Sequence, residues 1–207
     1  MEKLDLRKEL RYLYQPSAKT PVIVDVPEMR FISIEGVGAP GEEGSDFQPA
    51  LQAIFSLGYP VKFGAKQRLE IDYPVMPLEG LYWNADTGGK IVEPDPGRMA
   101  WKLMMMIPDV IPEEFIETMR AEAAEKKDLP RLADVKIETY DEGTSVQIMY
   151  VGPYEQETPT IERLIAFAEE RGFEVAGPHH EIYIGDPNRA APEKLRTVIR
   201  QPVRTAG

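Results

Sequence analysis

The stretch Ile32-Ser33-Ile34-Glu35-Gly36-Val37-Gly38 recurs 114 residues later (146 − 32) as Val146-Gln147-Ile148-Met149-Tyr150-Val151-Gly152. Gly58-Tyr59 and Gly172-Phe173 keep that offset, so a strand, its glycine exit and the helix after it repeat without a gap. Two more stretches follow in the same order in each half. Gly80-Leu81-Tyr82-Trp83 pairs with Glu181-Ile182-Tyr183-Ile184, and Trp101-Lys102-Leu103 with Leu195-Arg196-Thr197, with Pro108 and Pro202 beyond. A β-α-β-β unit present twice cannot be a solenoid, which needs at least about three short units. The expectation is an α+β chain of two pseudo-symmetric β-α-β-β repeats packed around a central cleft, with an extra N-terminal helix and a helix between the repeats.

The rest of the chain fits around that frame. Leu6, Leu10, Leu13 and Tyr14 lie at helical spacing and Pro16 ends the pattern. Thr20 to Pro27 is a short extended run, and Phe31 to Val37 alternates as a strand. After a loop at Gly38 to Gly44, Phe47 to Leu57 reads as a helix with Asp46 as N-cap and Gly58 as its stop. Leu78 to Trp83 and Trp101 to Ile107 read as strands joined by a loop at Gly88-Gly89 and Pro94-Asp95-Pro96-Gly97. Pro112 to Lys127 reads as an amphipathic helix, with Glu113 and Glu114 at its positive end and Lys126 and Lys127 at its negative end. The division expected is one domain over 1–207: repeat one at about 22–108, the connecting helix at about 112–127 and repeat two at about 135–203.

Composition removes several kinds of chemistry. The chain has 207 residues and no cysteine, which excludes disulfides, thiolate metal sites and cysteine nucleophiles. Lys plus Arg number 24 against 35 Asp plus Glu, a formal net charge of −11 that argues against nucleic acid as a partner. No apolar run approaches the roughly 20 residues of a membrane span, and no apolar segment follows the charged start, so a cytoplasmic protein is expected. His179 and His180 are the two histidines and, as strand neighbours, face opposite ways; no metal site and no cofactor are expected.

Glu181 is the first candidate for chemistry. Alternation puts His179, Glu181 and Tyr183 on one strand face and His180, Ile182 and Ile184 on the other, where the isoleucines are expected to pack on the helix at Ile161 to Arg171. A carboxylate beside a tyrosine on a concave face can hold a cation or, if desolvated, act as a general base. Taken alone, the pattern is more commonly that of a solvated strand face. Tyr82 occupies the position of Tyr183 in the repeat, and Tyr154 follows the Gly152-Pro153 strand end, so several rings can meet a flat ligand; ordinary surface tyrosines would give the same pattern. Trp83 and Trp101 are further candidates for the lining, and the Met104-Met105-Met106 run suits an adaptable apolar site, although core filling is its commoner use.

Several linked stretches together resemble the stand-alone GyrI-like small-molecule-binding proteins. They are Lys8 to Pro16, Val26 to Pro40, Pro77 to Trp83, Trp101 to Met104, Val146 to Tyr154, His179 to Pro187 and Lys194 to Val203. The resemblance implies a duplicated β-α-β-β fold with a ligand cleft. Related domains are the drug-sensing modules of multidrug-responsive transcription regulators, where a buried glutamate at the position of Glu181 and aromatic rings bind lipophilic cations. Some free-standing members resemble hydrolases that open cyclopropane-containing, DNA-alkylating toxins. The first 20 residues hold one helix and no DNA-binding segment, which favours sequestration or detoxification over transcription control. The expected function is binding of an aromatic or lipophilic small molecule, leaning to hydrolytic detoxification. In it Glu181 and Tyr183 would be catalytic, and Tyr82, Trp83, Trp101, Tyr154 and His179 would bind ligand. The alternatives are a non-catalytic sink or sensor and a gyrase-inhibitor-type protein-binding module.

Overall fold

In the computed structural model, which describes residues 2–42, 44–85 and 99–207, the strands run in a palindrome. The loop expected at Gly88-Gly89 and Pro94 to Gly97 lies outside the described residues. Repeat one supplies β2 (Val22–Val26), β3 (Met29–Val37), α3 (Phe47–Gly64), β5 (Leu78–Asn84) and β6 (Met99–Met106). After α4 (Glu113–Lys126), repeat two supplies β7 (Lys136–Tyr140), β8 (Gly143–Val151), α5 (Thr158–Glu169), β10 (His179–Tyr183) and β11 (Arg196–Thr205). The antiparallel sheet has the order β2-β8-β11-β10-β5-β6-β3-β7, with β9 (Phe173–Val175) pairing the end of β11. Read from either end, the order matches itself: β2 with β7, β8 with β3, β11 with β6, β10 with β5. The offset of 114 holds at both bounds of two strand pairs (136 − 22 and 140 − 26; 143 − 29 and 151 − 37). The first strand of each repeat is exchanged: β2 pairs with β8 and β7 with β3.

The ladders refine the repeat. Gly36 pairs with Trp101 and Trp101 with Tyr82, while Tyr150 pairs with Thr197 and Thr197 with Tyr183. Since 150 − 36 is 114, Tyr82 corresponds to Tyr183 and Gly80 to Glu181, as the sequence alignment had them. Trp101 corresponds to Thr197 and not to Leu195, two residues from the sequence match.

The helices of the two repeats, α3 and α5, lie on one sheet face. On α3, Ala53, Ile54, Leu57 and Val61 are fully buried in the same core as Ile32 and Met105 of β3 and β6. On α5, Leu164 and Ala168 pack with Ile148, Ile199 and Val203 of β8 and β11. Each such leucine or isoleucine removed from water stabilises by about 1.5–3 kcal/mol. The central strands β10 and β5 therefore lie between the two helices. Ile199 is the cross-strand partner of Glu181, so α5 shares the face of Glu181. This corrects the expected packing of Ile182 on α5: Ile182 is buried on the other face of the sheet, the side that Leu13 and Tyr14 cover. There the chain start contributes two single turns, α1 (Leu6–Glu9) and α2 (Arg11–Tyr14), in place of one continuous helix. Ahead of them β1 (Glu2–Lys3) pairs with β4 (Ile71–Asp72).

α3 runs past its expected end. A stop glycine needs a left-handed backbone, and Gly58 is instead helical, with Met105 Sδ occupying the space a Cβ would fill. The helix continues through Pro60 into a π-turn over Ala65–Leu69 and ends at Glu70, whose φ is 58°. Asp46 does not cap it. The Phe47 amide donates to Ser45 Oγ (3.2 Å), and the Asp46 carboxylate pairs with Arg131 (3.1 Å). Among the described residues no helix is long and apolar enough to cross a membrane.

Candidate functional site

At the centre of the sheet the two equivalent tyrosines meet. Tyr82 Oη and Tyr183 Oη lie 2.5 Å apart, across the junction of β5 and β10. Gly80 makes this possible: a Cβ there would stand 2.7 Å from the Tyr82 ring and hydroxyl. Directly across the ladder from Gly80 is Glu181. One repeat thus carries no side chain where the other carries a carboxylate. Burial, then the nearby Glu181, raises the pKa of both phenols, so both stay protonated and serve as hydrogen-bond donors.

A second carboxyl joins Glu181 from the turn before α5. The Tyr150 hydroxyl donates to the Pro153 carbonyl (2.8 Å), which ties that turn to its own strand. Tyr154 then meets Tyr183 edge to face at 5.7 Å, and Glu157, the residue before α5, reaches the carboxyl of Glu181. One donor atom each of Glu157, His179 and Glu181 lies within 4.8 Å of the others. Burial, then the charge of Glu181, pushes Glu157 up to about 9. The N-terminus of α5 pulls the other way, but that effect is about 0.3–1 kcal/mol, less than one pKa unit at 1.36 kcal/mol. For Glu181, burial acts upward and is outweighed by His179, Tyr183 and Glu157 beside it, which hold it below the ordinary glutamate value. Within the pair, protonation is therefore favoured on Glu157 over Glu181. A histidine with two carboxyls is also a composition that suits a divalent cation, which here would have to displace that proton.

The expected site residues divide between this cluster and other places. Glu181, Tyr183, Tyr82, Tyr154 and His179 come together; the His179 side chain is 7% exposed and its Nε2 stands 3.4 Å from Glu181 Oε1. Trp101 does not reach the cluster's surface. It is fully buried, its indole N–H donates to the Gly38 carbonyl (2.9 Å), and its ring meets Phe47 edge to face above Gly36. Trp83 is one residue from Tyr82 on β5 and so points to the opposite sheet face. Met104, Met105 and Met106 are core side chains. Glu157 was missed because an acidic residue at a helix start reads as dipole chemistry. The signal available was its place three residues after Tyr154 in one turn.

His180 belongs to a different assembly on the back face. Its Nδ1 lies 2.9 Å from Glu142 Oε1 and its Nε2 3.0 Å from Glu79 Oε2. Arg200, fully buried, donates to Glu142 (2.9 Å), Gln147 (3.0 Å) and the Leu13 carbonyl (2.9 Å), and the Tyr14 hydroxyl donates to Glu79 (2.7 Å). This network fastens α2 to the sheet and lies on the far side from Glu181. A surface groove of about 880 Å³ runs along α3 and the end of α4, past Phe55, Tyr59, Ala123, Lys127 and Asn188. Its lining holds no converging acid–base groups of the kind the carboxyl pair presents.

Residues 101–204 match the GyrI-like small molecule binding domain. An uncharacterized conserved protein from Listeria innocua is 36% identical over 97% of this chain and 100% of its own, with a TM-score of 0.86. The chain belongs to the GyrI-like family. A GyrI-like neighbour described as a hydrolase from Listeria innocua is 34% identical, over 97% of this chain and 100% of its own, at a TM-score of 0.82. The C-terminal domain of EcmrR, 14% identical over 90% of this chain and 98% of its own with a TM-score of 0.57, shares the fold. No functionally curated protein matches the sequence.

Proposed function

We propose that this GyrI-like protein binds an aromatic or lipophilic small molecule over the β5–β10 junction and hydrolyses it, with an electrophilic xenobiotic such as a strained cyclopropane as substrate. The observation that carries the reading is the carboxyl of Glu181 set beside a second carboxyl and the rings of Tyr82, Tyr154 and Tyr183. The rings supply flat apolar contact and phenolic donors. Glu181 is kept below the ordinary glutamate value by His179, Tyr183 and Glu157 beside it, as a general base for water requires. The neighbours from Listeria innocua described as hydrolases support the same reaction class. His179 orients Glu181 and does not itself need to touch the ligand.

The test is Glu181→Gln, measured for product formation and for affinity. Turnover of an electrophilic cyclopropane should fall about 10²–10⁴-fold, because the amide cannot take a proton from water. Affinity for a neutral ligand should change much less, since the rings remain. Wild-type turnover in the variant sinks the mechanism. A selective loss of cationic over neutral ligands, with no hydrolysis by the wild type, would make the site a sink for lipophilic cations.

A further inference from the structure

Polar atoms buried in a native protein almost always find a partner, and each exception needs a physical account. Two exceptions stand together at the β5–β10 junction. Among the described residues, His179 Nε2 and Glu157 Oε2 are buried and make no hydrogen bond. The His179 side chain is 7% exposed, and its Nε2 stands 3.4 Å from Glu181 Oε1. His179 and His180 face opposite ways on β10, so they cannot share an ion. The donors that can join His179 are carboxylates: Glu181, two residues along the same strand face, and Glu157, from the turn before α5. One donor atom of each residue lies within 4.8 Å of the others. His180 also has two carboxylates, but they sit at opposite ring nitrogens, and Arg200 already neutralises Glu142. Only the His179 set converges on one point.

We propose that Glu157, His179 and Glu181 form a binding site for a divalent first-row transition ion of the zinc type. Zinc holds imidazole nitrogen and carboxylate oxygen at about 2.0–2.2 Å in a tetrahedron, which sets neighbouring donors about 3.4 Å apart. His179 Nε2 and Glu181 Oε1 already stand at that spacing. Glu157 has to close by at most about 1.4 Å (4.8 − 3.4), within reach of rotation about its side-chain bonds. The two carboxylates balance the charge of the ion, and the ion relieves their mutual repulsion. The imidazole selects zinc, copper or nickel over calcium and magnesium, which take all-oxygen shells with more ligands. Three protein donors leave a fourth position for water or a ligand atom. An ion seated there holds the Glu181 lone pairs that a general base needs, so the metal-bound and base forms of the site are alternatives.

The test uses the full chain, stripped with a chelator and titrated with Zn²⁺ or Co²⁺. Calorimetry should give one Zn²⁺ per chain. Co²⁺ should take on the strong visible bands of a four- or five-coordinate ion in place of the faint bands of its hexaaqua form. Glu157→Gln, which lies off the sheet, and His179→Ala should each weaken Zn²⁺ at least about 100-fold, since loss of even an outer partner of a metal ligand costs about 10–100-fold. Glu155→Gln removes a charge from the same turn but no donor, and should leave the affinity unchanged. Metal-free thermal melts check that each variant folds, and Zn²⁺ should raise the Tm of the wild type and not that of Glu157→Gln. No stoichiometric uptake by the wild type, a Co²⁺ spectrum that stays that of the hexaaqua ion, or equal Zn²⁺ affinity in wild type and Glu157→Gln overturns the site. Equal losses in Glu155→Gln and Glu157→Gln overturn it too, because they would show a diffuse acidic field and no ligation. None of these readouts needs turnover, so the site stands or falls apart from the hydrolytic reading.

Discussion

Arg200 sits with no exposure on a strand between Ile199 and Gln201, and its partners are all internal. Replacing it with Met leaves Glu142 buried with His180 as its one remaining cation and strips the donor from Gln147 and the Leu13 carbonyl, so Arg200→Met should cost about 3 kcal/mol in urea denaturation. The same network gives stability a defined pH window. For His180, burial acts downward and is outweighed by Glu142 and Glu79, which raise it from 6.5 to about 9. Its stabilisation is complete below about 6.5 and is lost as pH climbs through about 9. For Glu142, burial acts upward and is outweighed by His180 and Arg200, which lower it from 4.5 to about 2. Its stabilisation is complete above about 4.5 and is lost as pH falls through about 2. Thermal melts should therefore show a plateau between those limits, and Glu142→Gln should flatten the acid side. Gly80→Ala should act at the other face. Its Cβ would push Tyr82 away from Tyr183, weakening ligand binding by more than it lowers Tm. Of these residues, Glu181 and the tyrosine pair were legible through strand alternation and the repeat. The buried polar group was not, because period-2 patterning reports which face a residue takes and says nothing of whether a charge on that face finds a partner.

At the scale of elements, the contact of β3, β6 and α3 depends on Gly36. A Cβ there would overlap the Trp101 indole, which Phe47 and the Gly38 carbonyl hold in place. Overpacking against a rigid ring costs about 1–3 kcal/mol, so Gly36→Ala should lower the urea midpoint by that much while leaving the carboxyl pair intact. Strands β3, β5, β6 and β10 and helix α4 were readable to within about two residues, because each had clean periodicity and turn residues at its ends, while β7 and β9 were not read as strands at all. The end of α3 was misread for a reason visible at Gly58. A glycine that admits a neighbouring methionine and a glycine that ends a helix look alike in sequence, and only the backbone angle separates them. The N-terminal helix split at Leu10 for a similar reason. Its apolar spacing suited a continuous helix, but Leu6 and Tyr14 are both drawn into the core, and the backbone turns at Leu10 to place them.

For the whole molecule, β10 pairs β5 over five residues, so one sheet runs unbroken from repeat to repeat. With β2 lent to β8 and β7 lent to β3, neither half owns a full set of strands. We expect calorimetry to give a single unfolding transition, and separately expressed halves (residues 1–110 and 111–207) to stay unfolded until mixed. Two independent transitions would mean that the halves are separate domains. The exchanged strands also carry a history. A chain of half this length would lack its first partner strand and could complete its sheet only by lending that strand to an identical copy, giving a twofold dimer with its cleft on the axis. Every residue at such an axis appears twice, so a glutamate facing the ligand would bring its own image, and a glycine making room for a ring would remove the glutamate. Fusion of the two genes lifts that restriction. Gly80 and Glu181 can then differ, one making space and the other supplying charge, at what would have been a single codon in the ancestor.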